Sequence, residues 1–261
     1  MNKNYKLKIM WIFLFLIGWE LLVKFNFLNP LIFPSIEAIF AALWIDIKNL
    51  SILWQTLFSL KLIFYGILIG VVVAVFLAGI STISPVLNSF VETLVEIAHP
   101  LPGIALLPIV IMAVGVNETS IIIIIIHSVL WPLTLNLMMG FKAIPKIYLQ
   151  VAQNYELSYF ATIKKVLLPA SVPQFISGLK IAFARAWRAV ISAEMVFGAV
   201  GGDGGIGWYI FKKRVFMDSA GMYAGLLVII FIGILMEEII LKKLEKMTLL
   251  KWGIVDDNYG N

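Results

Sequence analysis

The sequence predicts an all-α polytopic membrane protein, and three observations predict it. Several apolar runs approach the ~20 residues that a helix needs to cross a bilayer. Apolar residues make up 61% of the chain and mean hydropathy is +0.99, above the roughly 45–50% of ordinary globular domains. Lysines and arginines collect between the apolar runs, where they set the orientation of membrane helices. A soluble all-α domain is the alternative that this composition disfavours. The chain has no cysteine, which removes disulfide, zinc-thiolate and thiol chemistry. Its net charge of +5 calls for no nucleic acid, because no basic run is interleaved with aromatic residues.

Six spans can be drawn. The first, Ile9–Phe27, follows Lys3, Lys6 and Lys8 and imitates a secretory signal. It lacks a small-residue cleavage site, and apolar sequence resumes at Leu21–Val23, so it reads as an uncleaved span. Asn29–Gln55 holds Pro30, Pro34, Glu37, Trp44 and Asp46, which suits an external segment with an interfacial helix. The remaining spans are Leu57–Ile80, Leu94–Val114, Ser120–Gly140, Phe175–Val196 and Ala220–Leu241. Ile121–Ile126 in the fourth is a lipid- or bundle-facing run without chemistry.

With six spans, Lys3, Lys6, Lys8, Lys142, Lys146, Lys164, Lys165, Lys242, Lys243, Lys246 and Lys251 share one side. The opposite side holds Lys24, Lys48 and the contrary cluster Lys212–Arg214. The bias places both termini, and the stretch between spans four and five, in the cytosol. The chain is expected to be one transmembrane domain, residues 1–261, with a core of about 57–241 and a cytosolic loop at 142–173.

That loop is the most informative stretch. Gln150–Pro173 (QVAQNYELSYFATIKKVLLPASVP) is polar and lysine-containing between two very apolar runs, and it reads as two short helices. Ala152, Tyr155, Tyr159, Ile163 and Val166 fall on one stripe at helical spacing, and Ser158 is placed to cap the second helix. An amphipathic cytosolic helix between spans implies a partner that docks there. No GxxxxGK[ST] phosphate loop occurs in the chain, so any ATP would be handled by that partner.

The same loop resembles the EAA loop of ATP-binding-cassette (ABC) importer permeases. That pattern has Glu-Ala-Ala, a Gly three residues on, and a hydrophobic-Pro pair about a dozen residues further. Counted back from Leu168-Pro169, Gln150-Val151-Ala152 takes the Glu-Ala-Ala place and Glu156 the Gly place; Leu167–Pro173 agrees well. Two signature positions depart: Gln150 is neutral, and Glu156 stands where Gly permits a left-handed turn, at a cost of roughly 1 kcal/mol. Either the turn differs or the strain is tolerated. His99–Val116 (HPLPGIALLPIVIMAVGV) is similar to the proline-broken third span of nitrate/sulfonate/taurine-type permeases. Ala182–Gly198 (AFARAWRAVISAEMVFG) and the following GGIGWYIF are similar to their fifth span.

The resemblance implies the type I ABC-importer permease fold and alternating access in a homodimer. It also implies docking on a cytosolic ABC ATPase dimer, delivery of solute by an extracytoplasmic solute-binding protein, and contact with membrane lipid. It implies no nucleic-acid partner, no enzyme activity and no cofactor on this chain, ATP-Mg being bound by the ATPase. The ATPase-coupling residues it marks are Gln150, Val151, Ala152, Glu156, Leu168 and Pro169. The translocation path it suggests draws on His99, Pro102, Arg185, Trp187, Arg188 and Glu194.

Charged residues inside a span are costly, about 2.5–3.5 kcal/mol each on insertion scales, so each needs a cavity or a partner. At 100° per residue Arg185 and Arg188 share a face with Ser192, while Glu194 points nearly opposite to Arg185. Glu194 therefore cannot neutralise both arginines of its own helix, and a second copy or another span must contribute. Two readings stay open: a basic pair lining the path of an anion, or inter-helix ion pairs and snorkelling. Sulfonate, taurine, nitrate or bicarbonate would suit the arginines, whereas Trp187 and Trp208 would suit a heterocycle.

Other features carry less. Gly202–Gly207 satisfies GxGxxG by count but follows a span rather than a strand, so a flexible external turn is the expectation. His99 and His127 have no third ligand at metal spacing and read as satisfied packing histidines. Pro100, Pro102 and Pro108 free backbone carbonyls, as expected of a bent helix. Glu237 and Glu238 are spaced to pair with Lys242 and Lys243. The rival functions are an ion-driven secondary transporter, which would need an inverted repeat that the halves do not show, and an intramembrane enzyme, for which no nucleophile–base set is present.

Overall fold

A computed structural model describes residues 3–202 and 204–251. It is helical throughout, with no strand among the described residues. Helix α1 (Lys3–Lys24) covers the first predicted span. It ends in a left-handed Asn26 and is pinned at its C-terminal end: Trp19 Nε1 donates to Pro34 O (3.0 Å), and Glu20 accepts from the backbone N–H of Ile36 (3.0 Å). The predicted interfacial helix exists as α2 (Ile36–Lys48), started by Ser35, whose hydroxyl accepts from Ala38 N–H.

The core is built by three long helices. Helix α6 (Glu118–Lys142) packs along both α3 (Ser51–Ser81) and α10 (Val172–Phe197). Ile121, Ile124, Ile125, Val129, Leu133 and Leu137 of α6 are completely buried, so the isoleucine run turns one face into the bundle. The opposing face of α3 is small: Gly66, Gly70, Ala74 and Ala78 recur every four residues and are all buried. A Cβ on Gly66 would overlap Ile125, and one on Gly70 would lie 2.9 Å from Val129 Cγ1. Between lipid-immersed helices such close backbone approach, rather than expulsion of water, supplies the attraction.

One predicted span turns out to be bent much more sharply than a kink, and a second bend lies just before another. The third is α4 (Pro85–Ala98), a 3₁₀ turn (Gly103–Leu106) and α5 (Leu107–Val114), and the two arms meet at 86°. Pro100 and Pro102 cause the break, since proline lacks an N–H and disfavours helix at the residue before it; Pro102 is extended (φ −62°, ψ 130°). The predicted Leu94–Val114 therefore starts too late. The second bend, 74°, separates the helical stretch Tyr159–Ala170 from α10.

The remaining elements are α7 (Lys146–Asn154), α8 (Tyr159–Thr162), a π turn (Ile163–Leu167) and α9 (Leu168–Ala170). After α10 come α11 (Ile206–Val215) and α12 (Ser219–Ile234), which runs through a π turn (Leu235–Leu241) into α13 (Lys242–Lys251). The sixth predicted span is thus the first part of a longer rod. Lys180 of α10 pairs with Glu245 of α13, and Glu238 pairs with Lys242 (3.3 Å).

Among the described residues, three helices are long and apolar enough to cross a membrane alone: α3, α6 and Ser219–Thr248. Counting each bent pair as one span gives five. The predicted first span is helical, but Lys8, Glu20 and Lys24 set it apart from those five.

Candidate functional site

Two places gather the residues singled out above. The first is a cavity of about 470 Å³ between the α4–α5 elbow, α6 and α10. The elbow contributes His99, Pro102 and Gly103, α6 contributes His127, Ser128 and Trp131, and α10 contributes Arg185, Arg188 and Ser192. Gly103 permits this approach, because a Cβ there would overlap the hydroxyl of Ser128. The face predicted from helical geometry, Arg185 with Arg188 and Ser192, is the one that lines the cavity.

No carboxylate lines this cavity, and neither arginine has an ion-pair partner among the described residues. Arg188 Nε donates to Ala184 O at 2.9 Å, leaving the rest of its guanidinium uncommitted. His127 packs edge-to-face on Trp131 with ring centres 5.9 Å apart. His127 Nδ1 and Trp131 Nε1 are buried without a hydrogen-bond partner among the described residues. His127 is therefore not the satisfied packing histidine that its spacing suggested. No cluster of metal-binding side chains occurs among the described residues.

Glu194 and Trp187 lie off this cavity. Trp187 stacks on Phe183 (6.3 Å, 13° between planes) and faces Gly233 of α12. Glu194 is 1% exposed on the opposite face of α10. Its carboxylate accepts from Ser59 Oγ of α3 (2.7 and 2.9 Å) and from Gly207 N–H (2.9 Å), while Ser59 Oγ also accepts from Ile206 N–H (3.0 Å). A carboxylate set at the first turn of α11 is favoured by unpaired N–H groups and by the helix dipole. Gly205 and Gly207 make room for it, since a Cβ on either would run into the Glu194 side chain. The glycine-rich stretch is thus a fitted joint rather than a free turn; Asp203 lies outside the described residues. Nothing in the sequence marks Ser59 as the partner of a residue 135 positions away.

The second place is the 142–173 loop. Its two helices exist, and Ser158 caps the second by accepting from Ala161 N–H (3.3 Å). Glu156 does adopt the left-handed conformation, with φ +50°. Glu156 N–H donates to Gln153 O (2.9 Å) and Leu157 N–H to Ala152 O (3.1 Å). This pair of bonds closes a helix end around a left-handed residue. The same closure ends α1 at Asn26 and α11 at Met217, so the chain tolerates this strain without glycine.

The single stripe drawn through the loop is broken by this turn. Ala152 is buried, whereas Tyr155 is 77% exposed. Gln150, Val151 and Glu156 are exposed and Leu168 and Pro169 half-buried. Among these exposed polar residues the loop also presents large apolar side chains: Ile147, Tyr148, Val151, Tyr155 and Phe160 are all exposed. Grooves of about 490 Å³ flank it on both sides, sharing Ala152 and Leu157 as walls.

An elbowed helical bundle with a carboxylate-free basic cavity within its apolar helices and, at one end, a polar helical loop bearing exposed apolar side chains defines a membrane transport component. Residues 66–246 match the family described as binding-protein-dependent transport system inner membrane component. The chain belongs to that family. It is 28% identical over 241 residues to a putative ABC transporter permease protein of Methanocaldococcus jannaschii, covering 90% of this chain and 88% of that one. A nitrate import permease protein of Leptolyngbya laminosa is 30% identical over 70% of this chain and 63% of its own length. The taurine transport system permease protein of Escherichia coli is 25% identical over 71% of this chain and 66% of its own.

Proposed function

We propose that this permease subunit forms the path of a small anion, such as a sulfonate, taurine, nitrate or bicarbonate, through an ABC importer. The observation that carries this reading is the pair Arg185 and Arg188, set in a cavity between three helices without a carboxylate to neutralise them. Arginines that face a cavity attract oxyanions through charge and paired N–H groups. Relatives whose printed substrates include nitrate and taurine support the anion class.

Energy comes from a separate ATPase subunit dimer that binds ATP-Mg, while this chain binds no cofactor and performs no chemistry. The 142–173 loop faces the cytosol, as do both termini, and offers Ile147, Tyr148, Val151, Tyr155 and Phe160 to the ATPase; Gln150, Ala152, Glu156, Leu168 and Pro169 shape that surface. An exposed apolar patch of this kind marks an interaction site. Two copies of the chain embedded in the bacterial or archaeal inner membrane, with a solute-binding protein outside, complete the machine, which works by alternating access.

The test is reconstitution in liposomes with a partner ATPase and a solute-binding protein. Uptake of a labelled anion that requires ATP, and loss of ATPase capture on deleting residues 150–168, are the expected results. Uptake by the chain alone under an ion gradient would instead establish a secondary transporter.

A further inference from the structure

The loop touches the spanning helices through a specific polar contact. The hydroxyl of Tyr159, the first residue of α8, donates to the carbonyl of Gly79 and lies 2.7 Å from the hydroxyl of Thr82. The Thr82 hydroxyl and N–H reach that same carbonyl at 2.8 and 3.0 Å. Gly79 carries one of the last carbonyls of α3, which has no partner within its own helix. At the start of the loop Lys142 pairs with Glu92 of α4 (2.6 Å), and Tyr159 is the residue of the loop's second helix whose side chain hydrogen-bonds α3. Ile163, four residues on and so on the same face, has its Cδ1 3.4 Å from where a Gly79 Cβ would stand. One face of this helix is therefore seated on the end of α3 by a hydrogen bond and a close packing contact.

Helix α3 runs unbroken from that contact to Ser59, about 30 Å away at 1.5 Å per residue. There Ser59 holds the Glu194 carboxylate of α10 and the first N–H of α11. One straight helix is thus tied by polar contacts to the loop at one end and to the Gly205–Gly207 joint at the other.

We propose that Tyr159 is a positioning residue for energy coupling: its hydroxyl seats the loop on α3, so that displacement of the loop is delivered along α3 to the Ser59–Glu194 joint. This inference rests on the ATP-driven reading above. A loop held only by apolar contact can slide on the helix end, whereas a directional hydrogen bond to a helix carbonyl fixes its register.

The test is the number of labelled anions imported per ATP hydrolysed, in proteoliposomes holding this chain, its ATPase and its binding protein. Tyr159→Phe keeps the ring and removes only the hydroxyl. Its expected result is an anion-to-ATP ratio at least threefold below wild type, with ATPase capture and unfolding temperature unchanged. A purely structural role would lower capture and unfolding temperature and leave the ratio alone. Thr82→Val, which leaves Tyr159 in place, is expected to give a smaller fall in the same ratio, and it carries the test should Tyr159→Phe fail to assemble. An unchanged ratio, with wild type coupled, overturns the inference and spares the ATP-driven reading. A wild-type chain that captures no ATPase overturns both.

Discussion

The two faces of α10 treat charge in opposite ways. On one, Glu194 is buried and every neighbour is fitted to it: Ser59 and the N–H of Gly207 donate to its oxygens, and Gly205 leaves it space. On the other, Arg185 and Arg188 face a cavity with no carboxylate in its wall. A charge within a membrane span is tolerated in either setting, but only the second leaves an electrostatic demand for something from outside the chain. On the proposed reading, Glu194 serves architecture and the arginines serve transport.

The sharpest way to break this contrast is to remove the buried carboxylate. Glu194→Leu leaves the Gly207 N–H buried without its acceptor and strips Ser59 of its two short bonds to the carboxylate, and is expected to cost about 3 kcal/mol, read as a lower unfolding temperature in detergent. Gly205→Ala drives a methyl into the same carboxylate and is expected to cost about 2 kcal/mol. The double variant Arg185→Gln, Arg188→Gln should behave oppositely. Its unfolding temperature stays near wild type while anion uptake falls about tenfold, equivalent to about 1.4 kcal/mol of lost attraction. If instead the arginine variants unfold and the Glu194 variant is stable but inactive, the two faces have been assigned the wrong way round.

The smallest effect belongs to a third charged group, away from the spans, where Lys213 bridges Asp46 (3.0 Å) and Asp218 (2.8 Å). Burial pulls the Lys213 pKa down, but the hydrogen bonds it donates to the two aspartates, and their charges, outweigh this and raise it overall. Burial likewise pushes Asp218 up, and the Lys213 and Gly221 donors bring it below its ordinary value. A lowered carboxylate stabilises above its unfolded pKa and loses this as pH falls through the folded value. A raised lysine stabilises below its unfolded pKa and loses this as pH rises through the folded value. The cluster's contribution therefore holds between about pH 4 and about pH 10.5. Partial exposure limits it to about 0.5 kcal/mol. Unfolding temperature measured across pH for wild type and Lys213→Met should differ inside that window and converge outside it.

Much of this was legible beforehand because it follows from local periodicity. The opposition of Arg185 and Glu194 needs only 100° per residue, and the helices near Leu57–Ile80 and Ser120–Gly140 need only apolar run length. The proline break near His99 was visible as well, but not its 86° angle, which depends on what the second arm packs against. The stripe through Tyr155 misled because it assumed a continuous helix. The turn at Glu156 rotates everything after it.

By itself, then, the sequence determined that the chain is a helical membrane protein, roughly where its long apolar helices lie, and which faces of α10 oppose each other. Hydropathy and helical period are properties of neighbours along the chain. Only the tertiary structure decided that Ser59 and two glycines absorb Glu194, that His127 and Trp131 join the arginines around a cavity, and that Tyr159 reaches the end of α3. Those pairings join residues up to 135 positions apart, and they arise from the close approach of backbones, which no local pattern records.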